Sequence, residues 1–228
     1  MMWKRRIFLD ILPTVVAATL ILYFSISREQ SFLKTLPTLV TLAVQLLLVA
    51  ANRYAFLVGG INSTIYGAAY FSERLYFSAA SAILWSAPIQ LITFFNWGRH
   101  KAEGHQASLK ILSWRARCLV GAAVLGGFLI CRFALAPCFA GAAYPTLDAL
   151  CFTLGIVVAI LSAMRYVESQ YISAVSCMIA LGMWICIAVE SPMNYNYVVI
   201  SVYSCFRITE AAVRWTGTYR RQKAKAAE

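Results

Sequence analysis

Apolar residues gather along this chain in blocks of about 20, the length that carries a helix across roughly 30 Å of hydrocarbon. The blocks lack the every-second-residue alternation of a membrane barrel. A segment in lipid must also satisfy its own backbone polar groups, so the pattern predicts helices. The predicted spans are 7–27, 34–51, 55–72, 76–97, 117–136, 146–165, 171–189 and 196–216. The turns between them are short except for 98–116, a polar, basic loop that carries His100 and His105 and reads as solvated. The expected fold is all-α: a polytopic membrane protein of eight transmembrane helices, with residues 1–228 forming a single transmembrane domain.

The ladder of blocks has an internal rhythm. Residues 34–97 and 146–216 read as two copies of a three-helix unit. Tyr54 aligns with Tyr171, Glu73 with Glu190, and Trp97 with Trp215 after a one-residue gap. The intervening span 117–136 restores orientation, so the copies run parallel in a 3+1+3 core, with 7–27 as an extra first helix. Repeats of this kind enclose a solute site near the membrane midplane.

Composition sharpens this picture. Of 228 residues, 61% are hydrophobic and only 13% are charged, and the mean hydropathy is +0.70. A water-soluble domain has no use for that much apolar surface. The net charge of +11 would suit nucleic acid, but the cations cluster beside the apolar blocks and no nucleic-acid motif occurs, so the partner is membrane lipid. Lys4, Arg5, Arg6, Arg53, Arg99, Lys101, Lys110, Arg115, Arg117, Arg165, Arg214, Arg220, Arg221, Lys223 and Lys225 fall on one side of the predicted ladder. Only Arg28, Lys34 and Arg74 fall on the other. Cytoplasmic loops carry the excess of Lys and Arg, which puts both termini in the cytoplasm and the protein in the plasma (inner) membrane. The seven cysteines lie mostly inside apolar blocks without a Cys-x-x-Cys pair and read as small apolar residues. The start, Met1-Met-Trp-Lys-Arg-Arg6, imitates a signal peptide, but the apolar run after it is too long and lacks a cleavage site, so it reads as a retained helix.

Polar groups within the spans are costly in lipid and face the bundle interior or each other. Asn62, Tyr66 and Tyr70 share one face at four-residue spacing. Ser86, Gln90 and Thr93 share another, with Trp85 beside them and Pro88 interrupting the helix ladder. Ser173, Cys177 and Trp184 form a third stripe, and Tyr203, Arg207, Glu210 and Arg214 a fourth. The candidate solute contacts are Asn62, Tyr66, Trp85, Gln90, Ser173, Cys177, Trp184, Tyr203 and Arg207. Gln90 leads them, because a mid-span carboxamide has two donors and an acceptor to place. Each also has a packing role open to it: hydroxyls and amides cross-link helices, aromatics fill interfaces, and Arg207 can neutralise Glu210 one turn away. Catalytic motifs, metal-binding spacings and intramembrane acid pairs are absent from the sequence, so neither an enzyme nor a cofactor or metal is expected. Two readings stay open: facilitated diffusion of a small solute, or a non-transporting scaffold or sensor whose polar stripes only pack helices.

Several stretches resemble the PnuC family of bacterial vitamin transporters. Asn52-Arg-Tyr-Ala-Phe-Leu-Val-Gly-Gly-Ile-Asn-Ser-Thr-Ile-Tyr66 is similar to the family's Asn-x-x-x-Phe-x-x-Gly stretch that ends in Tyr, and Leu75-Tyr76 matches its Leu-Tyr. Trp85-Ser-Ala-Pro88-Ile-Gln90-Leu-Ile-Thr-Phe-Phe-Asn-Trp97 is similar to its Pro-x-Gln-x-x-Gly-Trp-x-x-Trp segment. Tyr144-Pro-Thr-Leu-Asp148 and Arg165-Tyr-Val-Glu168 fit its Leu-Asp and Lys/Arg-Tyr-x-Glu. The resemblance covers about residues 50–215. It implies a SWEET-like 3+1+3 core, energy-independent uptake of a vitamin precursor or nucleoside-like solute with nicotinamide riboside the first candidate, a homo-oligomer, and a cytoplasmic kinase that traps the solute. One departure stands out. The family's Trp-x-x-Trp and following Asn/Asp are replaced by Gln170-Tyr-Ile-Ser173-Ala-Val-Ser-Cys177, which removes about 1–3 kcal/mol of stacking per ring.

Overall fold

The computed structural model describes residues 2–99, 108–139 and 141–225, with side chains from residue 11 onward. The loop histidines His100 and His105, and the charges of Lys4, Arg5, Arg6 and Lys101, lie outside the described residues. The described residues form eight helical rods: α1 (Met2–Ser27), α2 (Phe32–Val49), α3 (Tyr54–Ser72), α4 (Tyr76–Arg99), α5 (Trp114–Cys138), α6 (Pro145–Ala163), α7 (Glu168–Glu190) and α8 (Tyr195–Lys225). Each predicted span falls on one rod. The main difference is α8, which runs past 216 through a tail rich in Lys and Arg, good helix formers that need no lipid to cover them. Five rods, α2, α4, α5, α6 and α7, are long and apolar enough to cross a membrane, and α1 holds a shorter apolar stretch, Ile11–Ser27. In α3 and α8 the buried polar residues Asn62, Ser201, Ser204 and Arg207 dilute the apolar run. The chain is a multi-pass helical membrane protein.

Four rods end in the same way. Glu29, Ala51, Arg74 and Arg165 adopt φ of 49°, 51°, 58° and 67° after α1, α2, α3 and α6. The next amide then reaches back to the helix: Gln30 N–H to Ser25 O (2.9 Å), Asn52 to Leu47 (2.9 Å), Leu75 to Tyr70 (3.0 Å) and Tyr166 to Leu161 (2.9 Å). These are Schellman caps built without glycine, although a left-handed residue with a side chain costs roughly 1–2 kcal/mol. The returning bonds satisfy terminal carbonyls that would otherwise sit unpaired at the edge of lipid.

The rods form a ring. α2 packs on α3 and α3 on α4; α6 packs on α7 and α7 on α8. Contacts between α4 and α6, and between α2 and α8, close the circle. α1 lies outside against α2 and α8, and α5 lies outside against α6. No residue of Trp114–Leu129 in α5 is buried.

At one end of the ring, Glu73 at the close of α3 pairs with Lys34 at the start of α2 and accepts from Asn194 (3.0 Å). Glu190 at the close of α7 likewise accepts from the hydroxyl of Tyr144, just before α6. That bond, followed by desolvation, pushes the Tyr144 hydroxyl up to about 12, so the tyrosine stays a donor across the neutral range. At the other end the indoles cross over. Trp97 donates to Ser162 O at the close of α6 (3.0 Å), and Trp215 donates to Leu48 O at the close of α2 (3.1 Å). Their rings meet at 5.2 Å, and Val49, Phe56, Leu109, Val167 and Ala211 pack around them. The caps match Asn52 to Tyr166, whereas the glutamates and tryptophans follow the frame that aligns Tyr54 with Tyr171. α7, with 23 residues, absorbs the difference against α3, with 19: it is longer by about one turn.

Residues 108–113 strap across the tryptophan end. Lys110 bridges the backbone of Arg165 (2.9 Å) and Val167 (3.0 Å). Glu168 accepts from Leu112 N–H (3.1 Å) and from Arg117 (2.8 Å), and Gln222 on the extended α8 accepts from Leu109 N–H (3.0 Å).

Candidate solute-binding site

α4 is the irregular element of the ring. It starts as α-helix at Tyr76–Ala80, widens into a π turn at Ser81–Ser86, and resumes as α-helix from Ala87. Pro88 has no N–H to give the preceding turn, and widening of the ladder is a standard response within a helix. The N-terminus of α4 is capped from across the bundle. Asp148, fully buried in the first turn of α6, accepts from Phe77 N–H (3.0 Å), Ser78 N–H (3.0 Å) and the Ser78 hydroxyl. Asp148 therefore holds α4 on α6 and does not line the cavities below.

Two cavities lie inside the ring. The outer one, toward the glutamate end, has a volume of about 220 Å³. Tyr66, Tyr70 and Trp184 form its aromatic wall, and Ser63, Ser78, Ser81, Ser86 and Ser176 supply hydroxyls. The rings belong to a continuous stack: Tyr66 on Tyr70 at 5.3 Å, Tyr70 beside Trp184 at 6.0 Å, and Trp184 on Tyr197 at 4.2 Å with a 14° interplanar angle. The inner cavity, toward the tryptophan end, measures about 240 Å³ and is lined by polar residues Ser86, Gln90, Thr93, Ser162, Gln170 and Ser173 among apolar side chains. Ser86, the last residue of the π turn, lines both. Among the described residues, no Lys, Arg, Asp or Glu lines either cavity.

The predicted contacts divide. Tyr66 and Trp184 line the outer cavity, and Gln90 and Ser173 line the inner one. Gln90 is held firmly: its amide donates to Ser63 Oγ (2.8 Å) and Ser86 Oγ (2.7 Å). A β-carbon on Gly59 would lie 2.2 Å from its oxygen, so the glycine permits this close approach. The other five lie elsewhere. Asn62 donates to Pro37 O (3.0 Å) and Thr41 Oγ1 (3.0 Å) and ties α3 to α2. Tyr203 meets Thr14 of α1 at 2.9 Å. Arg207, buried in α8, pairs with Glu210 at 2.7 Å. Trp85 and Cys177 line neither cavity. The polar cavity residues that spacing missed are Ser63, Ser78, Ser81, Ser162, Ser176 and Gln170.

A ring of helices around uncharged, partly aromatic cavities is the architecture of a membrane transporter for small solutes. The sequence model of the nicotinamide mononucleotide transporter family matches residues 31–216, and the chain belongs to that family. It is therefore a transporter and not an enzyme. Its structure is similar to a solved structure described as "Crystal structure of the Vitamin B3 transporter PnuC", with a TM-score of 0.81, 20% sequence identity, and coverage of 96% of this chain and 97% of that one. At that identity the likeness bears on the fold. No curated protein matches the sequence.

Proposed function

We propose that this protein is a facilitator for an uncharged or cationic, ring-bearing solute of the nucleoside type, with nicotinamide riboside ahead of nicotinamide mononucleotide. One observation carries the choice: among the described residues, no cationic side chain lines either cavity. A phosphate dianion there would lose its hydration without a partner, at a cost of several kcal/mol. The aromatic wall of Tyr66, Tyr70 and Trp184 offers a solute ring the stacking surface that the replaced Trp-x-x-Trp would have given. The dispersed acids argue against a proton relay, so transport equilibrates the solute, and a cytoplasmic kinase pulls it inward. The matched end links and crossed tryptophans support two three-helix halves, α2–α4 and α6–α8, that rock about the cavities. In this reading eight spans cross the plasma membrane with both termini in the cytoplasm, and the protein works as a homo-oligomer.

Thermal-shift titration of the purified protein separates the two solutes. Nicotinamide riboside is expected to raise the melting temperature, with the mononucleotide binding at least ~100-fold more weakly. Equal binding of both, or tighter binding of the mononucleotide, would remove this reading.

Gly59→Ala tests the placement of Gln90. Alanine gains about 1 kcal/mol of helix propensity over glycine, which offsets much of the crowding, yet its methyl must push the Gln90 carboxamide off Ser63 and Ser86. Riboside uptake into proteoliposomes is expected to fall about tenfold, with little change in melting temperature. Full uptake would separate Gln90 from the transport path.

A further inference from the structure

Gln170 sits in the first turn of α7 with 2% of its surface exposed, and it lines the inner cavity. Its carboxamide is poorly provided for. The nitrogen reaches Ser169 Oγ at only 3.5 Å, and the oxygen has no hydrogen-bond partner. A buried amide oxygen left without a donor is costly, and the weak bond that the nitrogen makes to Ser169 does nothing for it. Around it stand Ser173 on the next turn and, from α4, Ser86 and Gln90. Gln90 has spent both of its N–H groups on Ser63 and Ser86.

We propose that Gln170 is a specificity-determining residue that reads a hydroxyl group of the solute in the inner cavity. This rests on the nucleoside-type reading above and divides the solute between two stations. The ring lies against the aromatic wall, and the hydroxyl-bearing sugar reaches past Ser86 to Gln170 and Ser173. Hydroxyls suit this cavity because each both donates and accepts, whereas the inner polar lining is made of hydroxyls and carboxamides without a formal charge. A flat aromatic solute with no hydroxyls would leave the Gln170 oxygen unpaired and gain nothing from this station.

The experiment measures binding of nicotinamide riboside and of its 2′-, 3′- and 5′-deoxy forms to the full-length protein in detergent, for wild type and Gln170→Met. Wild type is expected to bind one of the deoxy forms about tenfold more weakly than the riboside. In Gln170→Met that ratio collapses to within about twofold, while the other two ratios keep their wild-type values, a pattern that general destabilisation would not produce. Should the methionine variant fail to fold, Gln170→Asn is read in the same way, since it withdraws the carboxamide by one methylene and keeps its polarity. Riboside binding with the wild-type ratios intact in the variant, or with no discrimination in wild type, overturns the Gln170 assignment and leaves the nucleoside reading standing. Absence of riboside binding to wild type overturns both.

Discussion

Replacing Trp97 or Trp215 with alanine is expected to remove about 3–5 kcal/mol of stability each, among the largest effects of any single substitution in this chain. The two side chains are 2% and 1% exposed, and each fills the space where one half of the ring meets the other. Truncation leaves a cavity and also strips the Ser162 or Leu48 carbonyl of its indole donor, leaving each with the one cap N–H it accepts from Arg165 (3.0 Å) or Ala51 (2.9 Å). Phenylalanine separates the two contributions: it keeps most of the packing and loses only the hydrogen bond, for about 1–2 kcal/mol. Because the rings touch, the double alanine variant should lose less than the two single losses combined. Unfolding followed by near-ultraviolet circular dichroism in a mild detergent would give each of these values. Strict additivity, or alanine variants that melt with the parent, would mean that the halves are held together elsewhere.

Asp148→Ala should be of similar size, about 3–5 kcal/mol. The carboxylate serves two backbone N–H groups at the start of α4 and one hydroxyl, and nothing else at full burial is positioned to take them over. Asp148→Asn keeps one carbonyl oxygen in place and is expected to cost about 1–3 kcal/mol. The measurement is the amount of folded, monodisperse protein recovered from membranes, with the melting temperature of what is recovered. If the alanine variant is as abundant and as stable as the parent, the start of α4 does not depend on this cap.

The rods were legible in the sequence because their signal is coarse: about 20 apolar residues in a row need no exact register to be recognised. The site depends on register, and there the reading was partial. Four-residue spacing drifts about 40° around a helix at each step. Along α3, Asn62 therefore turns onto α2 while Tyr66 and Tyr70 reach the cavity. Ser63, about 100° round from Asn62 and close to the Tyr70 direction, was passed over although it holds Gln90 in place. On α4 the difficulty was the π turn. Ser81 and Ser86 stand five apart and would diverge on an α-helix, but a π turn brings such positions to one side. On α8 the stripe of Tyr203 and Arg207 is polar for another reason: Tyr203 faces Thr14 of α1, a helix outside the ring whose docking place periodicity alone does not reveal. The Glu73–Glu190 and Trp97–Trp215 correspondences were drawn from sparse identities, too few to define a repeat by themselves.

The closed ring also sets a timetable for synthesis. The caps after α2, α3 and α6 form from neighbouring residues, so each helical turn-back can settle as soon as its own stretch has left the ribosome. The α2–α8 seam is different, because α8 is made after every other rod of the ring. Until then Gln45 on α2 lacks the Ser204 hydroxyl it later meets at 3.4 Å, and the Leu48 carbonyl lacks Trp215. A nascent chain halted before α8 would hold a polar stripe of α2 open to lipid, a surface that membrane quality-control machinery could distinguish from the finished bundle.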